Sequence, residues 1–322
     1  MWASTLGLLI LLAGLVALIK GADWLVDGAA AIAERYEVSE LALGLSLIAL
    51  STTLPELVVN LIASQQQEYE LVFSNIVGSI IINIFCVLGL VGLMTPLYVR
   101  PLTIKRDIPF AVFVIGVVFV LLNDRLFFDA RDNALDRFDG LILLGLLFTY
   151  LVSIVRRLKR KHLDYEKPEK SLSKGKQWWY LIAGGIALAG GGELTVLAAQ
   201  ELTEAWQVSK KLIGLTILAP GTAFPELAVS FLAVFKKRYD IAVGNIIGAN
   251  ILNVVLVLSV STISGPLLYN YKLNFDWLFA GLGTAFLFVA MFTGKARRLD
   301  RWEAGILFGF FVAYSFFLFI RL

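Results

Sequence analysis

Cysteine and histidine are nearly missing from this 322-residue chain, with one of each. Cys86 alone excludes an internal disulfide or a cysteine-based metal cluster. His162 lies in a basic stretch, so serine–histidine chemistry within the apolar segments has no histidine to use. Charge is scarce as well. Asp, Glu, Lys and Arg make up 16% of the residues and hydrophobic residues 58%, where soluble domains run at about 25% and about 45–50%. A net charge of +3 is too small to suggest nucleic acid as a partner. What the chain has in quantity is apolar runs long enough to cross a bilayer, and its mean hydropathy is +0.80. The composition is that of an integral membrane protein whose partner is the lipid bilayer. Nothing points to an obligate protein partner or a prosthetic group.

The first run, Leu6 to Ile19, follows Met1–Thr5, which holds no Lys or Arg, and no convincing cleavage site comes after it. It is expected to be a retained transmembrane helix and not a signal peptide. Spans of about 20 mostly apolar residues are expected near 5–33, 39–64, 71–93, 108–123, 139–157, 178–200, 209–235, 241–263, 276–293 and 302–320. The longest polar stretch, Arg156 to Gln177, divides the chain into residues 1–155, a basic loop 156–177 and residues 178–322. Lys and Arg number 20 in the loops after the odd-numbered spans and 7 on the opposite side, with Lys20 inside the first span. The positive-inside rule then makes the central loop cytoplasmic and puts both termini outside, in a plasma (inner) membrane.

The halves repeat. A shift of 170 residues lays Val38–Leu90 on Val208–Val260 with 19 of 53 positions identical. Leu matches Leu easily between two apolar segments, but these matches include Pro55/Pro225, Glu56/Glu226, Asn75/Asn245, Gly78/Gly248 and Asn83/Asn253. Five spans, an odd number, separate equivalent positions, so the second copy enters the membrane from the other side. The fold class expected is an all-α membrane protein of ten transmembrane helices in two inverted five-helix repeats, with helices broken at the midplane. Inverted repeats of this kind are a mark of secondary transporters.

Each repeat carries a Pro-Glu pair in mid-span, at Pro55-Glu56 and Pro225-Glu226. A charge at the bilayer centre costs roughly 2.5–3.5 kcal/mol on insertion scales, so such residues mark ion paths. Proline lacks an N–H and crowds the carbonyl four residues back, which predicts a helix break and free carbonyls near Ser51 and Gly221. Carboxylate, carbonyl and hydroxyl oxygens together suit a hard cation such as Ca²⁺. Thr52 and Thr53 can share a face with Glu56 if the helix persists. Thr222 repeats the first of these, and Ala223 replaces the second. The next span carries Asn75, Ser79 and Asn83 at intervals of four, and its copy carries Asn245, Ala249 and Asn253. These read either as interhelical hydrogen bonding or, beside a Pro-Glu break, as the lining of a cavity. Gly44, Gly78, Gly214 and Gly248 are expected to permit close helix packing. Asp23 and Glu193, equivalent under the shift, read equally as interfacial residues or as an ion vestibule.

Ser51-Thr52-Thr53-Leu54-Pro55-Glu56 and Gly221-Thr222-Ala223-Phe224-Pro225-Glu226 resemble the G-T-S-L-P-E motif of the sodium/calcium exchanger family of cation/Ca²⁺ antiporters. Ser74–Ser79 and Gly244–Asn250 resemble its G-N-x-x-G-S-N element. The resemblance extends over essentially the whole chain. It implies a central Ca²⁺ site of Glu56, Glu226, Thr52 and Thr222. It further implies Na⁺ sites using the carbonyls of Ala49 and Ala219 with Thr53 and Ser79, while Asn83 and Asn253 complete the metal-site set. Ser51 and Ser74 stand where the family has glycine, Ala223 and Ala249 where it has serine, and Ile80 where it has asparagine. Asn253 takes the place of an aspartate in some relatives, which weakens a potassium-dependent reading. The two alanines would cost each of two sodium sites one ligand. The expected function is a secondary antiporter that exchanges Ca²⁺ for Na⁺ or H⁺ by alternating access. The alternatives are an exchanger of Mg²⁺ or Mn²⁺ and, from another class, an intramembrane enzyme.

Overall fold

The computed structural model describes residues 2–127, 132–158, 172–205, 223–294 and 297–321. It is almost wholly helical. In chain order the principal helices are α1 Trp2–Tyr36, α2 Glu40–Gln65, α3 Tyr69–Met94, α4 Ile108–Leu121, α5 Arg137–Leu158, α6 Lys174–Ala205, α7 Phe224–Phe235, α8 Tyr239–Ser261, α9 Asn274–Ala290 and α10 Arg301–Arg321. Eight of them, all but α4 and α7, contain a stretch long and apolar enough to cross a membrane. Their burial fits a bilayer solvent. Leu54, Val58 and Ile62 on α2 and Phe138, Leu141 and Phe148 on α5 are exposed, whereas α8 has a buried residue at nearly every position. The centre of the molecule is therefore α2, α3, α7 and α8, and the others surround it.

The inverted repeat is visible in parts that the sequence shift did not reach. Four two-residue strands, β1 Leu97–Tyr98, β2 Ala134–Leu135, β3 Leu267–Leu268 and β4 Arg298–Leu299, form two antiparallel ribbons, β1 with β4 and β2 with β3. β1 and β3 are 170 residues apart, and β2 and β4 are 164 apart. Exchanging the halves thus maps one ribbon onto the other, and each ribbon ties the first half to the second. Helix starts agree. Asp136 accepts from Phe138 N at 2.7 Å and Asp139 accepts in turn from Asp136 N at 2.9 Å, a capping box at the start of α5. At α10, 164 residues on, Glu303 accepts from Asp300 N at 2.8 Å. The turns α2–α3 and α7–α8 both contain a left-handed residue, Gln67 at φ 62° and Lys237 at φ 59°.

Two expectations need correction. Helical geometry continues through Pro55 in α2, so there is no break at that proline. The irregularity lies nearer the start of α2, where Gly44–Ile48 widens into a π-helical turn. In the second repeat the helix does begin at the motif, at Phe224 with Pro225 in its first turn, where a missing N–H is harmless. Gly78 was expected to permit close packing, yet a Cβ there would meet nothing within 4 Å. Gly248 behaves as expected, since its Cβ would lie 2.8 Å from the Leu45 carbonyl oxygen. The long helices α1 and α6 pack through glycines the repeat argument had not singled out. A Cβ on Gly21 would lie 2.7 Å from Leu188 N, and one on Gly184 2.7 Å from Leu25 N. Gly214 and His162 lie outside the described residues.

Candidate cation-binding site

Position and spacing bring the polar residues of the four central helices together. On α2 the spacing of four puts Thr52, Glu56 and Asn60 on one face, and all three are buried, as is Thr53. On α7 Glu226 and Ser230 repeat that spacing and are 0% exposed. α3 contributes Ser79 and Asn83, and α8 contributes Asn245, Asn250 and Asn253, all buried. Asn83 and Asn253 lie in π-helical turns, Ile82–Val87 and Asn253–Val257, that match between the repeats. Such turns occur often at functional sites, because the added residue re-aims side chains within a helix.

The hydrogen bonds are few for so many polar groups. Ser79 Oγ donates to Glu56 Oε1 at 2.5 Å. Thr52 Oγ1 lies 3.1 Å from the Ala49 carbonyl and 3.2 Å from Asn245 Oδ1. Asn245 Nδ2 is 3.4 Å from the Glu226 carbonyl and 3.3 Å from Ser230 Oγ. Asn83 Nδ2 donates to Asn250 Oδ1 at 2.9 Å, and Asn60 Nδ2 to the Glu56 carbonyl at 2.7 Å. Glu56 and Glu226 lie near enough to repel one another, with Asn253 beside Glu56 and Thr52 beside Glu226.

Among the described residues, several oxygens remain buried without a partner at hydrogen-bond distance: Glu56 Oε2, both carboxylate oxygens of Glu226, Thr53 Oγ1, Asn83 Oδ1 and Asn253 Oδ1. A buried polar atom left unpaired costs about 1–3 kcal/mol, and more when charged. Two buried carboxylates that face each other stay ionised together only with a positive charge between them. A cluster of acceptors short of donors is therefore a fit for a cation, and an all-oxygen set fits a hard one.

Of the residues expected from the sequence, Glu56, Glu226, Thr52, Thr53, Ser79, Asn83 and Asn253 come together at the centre. Ala49 is there through its carbonyl. Thr222 and Ala219 lie outside the described residues. Asn60 and Ser230 are not among the expected site residues, and Asn250 stands out in the sequence only as the last residue of the Gly244–Asn250 motif. The first two were detectable as polar residues four places after each glutamate, and they match under the 170 shift. Asp23 is not near the carboxylates. It pairs with Lys236 at 2.6 Å, as does Asp27, while Glu193 is exposed.

A match to the sodium/calcium exchanger protein family covers residues 6–156 and 176–320, that is, both halves. The chain belongs to this family. It is 30% identical to the sodium/calcium exchanger MaX1 of Methanosarcina acetivorans, across 98% of this chain and 99% of that one. It is also 34% identical to the inner membrane protein YrbG of Escherichia coli K12, across 80% of this chain and 79% of YrbG. Among solved structures it resembles the sodium–calcium exchanger NCX_Mj, with a TM-score of 0.82 and 28% identity over 96% of this chain and 97% of that one. The structures of NCX_Mj concern extracellular ion exchange and occlusion of its binding site, in crystals soaked with Na⁺ and Sr²⁺. The family and its structures are transporters of the inverted-repeat type, and an intramembrane enzyme is not favoured.

Proposed function

We propose that the protein is a secondary antiporter that exchanges Ca²⁺ for Na⁺ through a single central site. The observation that carries this reading is the pair Glu56 and Glu226, both buried, with three of four carboxylate oxygens unpartnered among the described residues. Ca²⁺ takes six to eight oxygens; the two carboxylates supply the charged part of such a shell, and Thr52 and Thr222 add neutral hydroxyl oxygens. When Ca²⁺ leaves, the two negative charges need replacement cations before the site can reorient empty of Ca²⁺. That requirement is what couples the two fluxes. Ten spans, with the central loop cytoplasmic and both termini outside, complete the reading, α4 being a short one and α7 the described part of the span expected near 209–235. Cysteine labelling from outside should then reach a probe at Gln66 and not one at Lys237. Equal labelling of both would contradict the orientation.

The sodium ligands are unequal between the repeats. Ser79 is bonded to Glu56, and its equivalent beside Glu226 is Ala249. Thr53 lies one turn before Glu56, and its equivalent is Ala223. Both missing hydroxyls thus fall in the second repeat, and each of the two sodium sites that the resemblance implies would lose one ligand. Na⁺ binding is correspondingly weak. Restoring one hydroxyl with Ala223→Ser should lower the Na⁺ concentration for half-maximal Ca²⁺ flux, by about three- to tenfold if it adds one net hydrogen-bond-sized interaction. An unchanged or higher Na⁺ requirement would place the sodium ligands elsewhere.

A further inference from the structure

Beyond the glutamate, α2 continues its buried polar face. Asn60 and Ser64 follow Glu56 at intervals of four and are 1% and 3% exposed. This face meets α8, whose Asn253 and Ser261 are buried two turns apart. Ser64 Oγ donates to the Ser261 carbonyl at 2.9 Å, which joins the two helix ends. Yet Asn60 Oδ1, Ser261 Oγ and Asn253 Oδ1 have no hydrogen-bond partner among the described residues, and Asn253 Nδ2 has only a loose contact with Glu56. Orphans of this kind in a closed interface are the usual mark of water or an ion.

The inverted repeat provides an internal control. Under the 170 shift Asn60 becomes Ser230, Ser64 becomes Val234, Asn253 becomes Asn83 and Ser261 becomes Val91. In that second seam, between α7 and α3, Ser230 Oγ is engaged by Asn245 and Asn83 Nδ2 by Asn250, although Asn83 Oδ1 and Asn250 Nδ2 are left without a partner among the described residues. Its outer positions are buried valines. Packing of α2 on α8 would be served equally well by the valines that serve the mirrored seam. The polarity of the outer positions, Ser64 and Ser261 against Val234 and Val91, exists in one seam only.

We propose that the α2–α8 seam is an access subsite for a partly hydrated monovalent cation, on the membrane face where α2 ends and with no counterpart on the other face. The donor chemistry selects the ion. Neutral amide and hydroxyl oxygens favour a monovalent ion that keeps some of its water over Ca²⁺, whose affinity rises with the charge count of its ligands, and the seam has no carboxylate beyond Glu56. The ion would be handed from Ser261 and Asn60 to the unpartnered oxygens of Asn253 and Glu56. The inference rests on the Na⁺-coupled reading above.

The test measures, in oriented proteoliposomes, the Na⁺ concentration for half-maximal Ca²⁺ flux separately on each face, for wild type, Ser261→Ala and the pair Ser64→Ala with Ser261→Ala. Ca²⁺–Ca²⁺ exchange without Na⁺ is the second readout. The variants should raise the Na⁺ requirement by about three- to tenfold on the face where α2 ends, as loss of one hydrogen-bond-sized contact would. On the opposite face the requirement should stay close to that of wild type, and Ca²⁺–Ca²⁺ exchange should persist. An equal rise on both faces, no change on either, or parallel loss of Ca²⁺–Ca²⁺ exchange assigns the seam to packing and overturns the proposal. Val234→Ser with Val91→Ser should lower the Na⁺ requirement on the opposite face only. A wild-type protein whose flux ignores Na⁺ on both faces would remove the coupled reading itself, and this is seen before any variant is compared.

Discussion

Glu56→Gln and Glu226→Gln should each abolish Ca²⁺ transport while leaving a folded, membrane-inserted protein. Each substitution keeps the size and shape of the side chain and removes one of the two negative charges at the site. Ca²⁺ brings two positive charges and gives up its hydration shell, so a site with one carboxylate leaves a net charge buried at the midplane. A buried unpaired charge there costs several kcal/mol, and 1.4 kcal/mol is already a tenfold loss of affinity. The fold should not suffer, because neutral side chains remove the repulsion between the two glutamates. In Glu56→Gln the amide would also retain an oxygen to accept from Ser79. Ca²⁺ flux in proteoliposomes, with gel filtration to check folding, is the measurement. Near wild-type flux in either variant would refute a site shared by the two carboxylates.

The second large effect is on stability. Asp107, at the entry to α4, and Arg157, in the last turn of α5, form a two-pronged ion pair at 2.7 and 2.5 Å. Their side chains are only 2% and 7% exposed. Next to it Tyr150 donates to the Leu45 carbonyl at 2.6 Å, inside the π-helical turn of α2. The pair thus pins the peripheral helices α4 and α5 close to the helix that bears Glu56. Removing one partner of a buried pair strands the other charge and typically costs about 3–5 kcal/mol, whereas replacing both by apolar residues is often neutral. Asp107→Leu and Arg157→Met alone should therefore lower the melting temperature sharply in detergent, and the double variant should recover most of the loss. Single variants that melt like wild type, or a double variant as weak as the singles added together, would contradict this.

How far the sequence foretold the structure depends on the range of the interaction. The Pro-Glu pairs, the asparagine positions and the inverted repeat depend on local spacing and on self-similarity, and both are visible in one chain. Arg157 shows the limit. It sits at the edge of a run of basic residues, so it reads as part of a cytoplasmic loop, and its partner is 50 residues away. Only the packing of α5 on α4 makes it a buried charge. Pro55 shows another limit. Its missing N–H points to a disturbance of α2, but where a helix departs from regularity depends on its neighbours. Gly44 packs so tightly on α8 that a Cβ would lie 3.0 Å from the Ile241 carbonyl oxygen, and the wide turn begins there. Asn60 and Ser64 were readable as a stripe of polar residues, but their one-sidedness became evident only when α8 was placed against them.

The most direct test of the account is Ca²⁺ flux by the purified protein in proteoliposomes, driven by a Na⁺ gradient while pH is held equal on both sides. The expected result is Ca²⁺ movement opposite to the Na⁺ gradient that reverses when the gradient is reversed and stops when Na⁺ is replaced by choline. Flux that ignores Na⁺ and follows only an imposed pH gradient would contradict sodium coupling and place the protein among proton-driven exchangers.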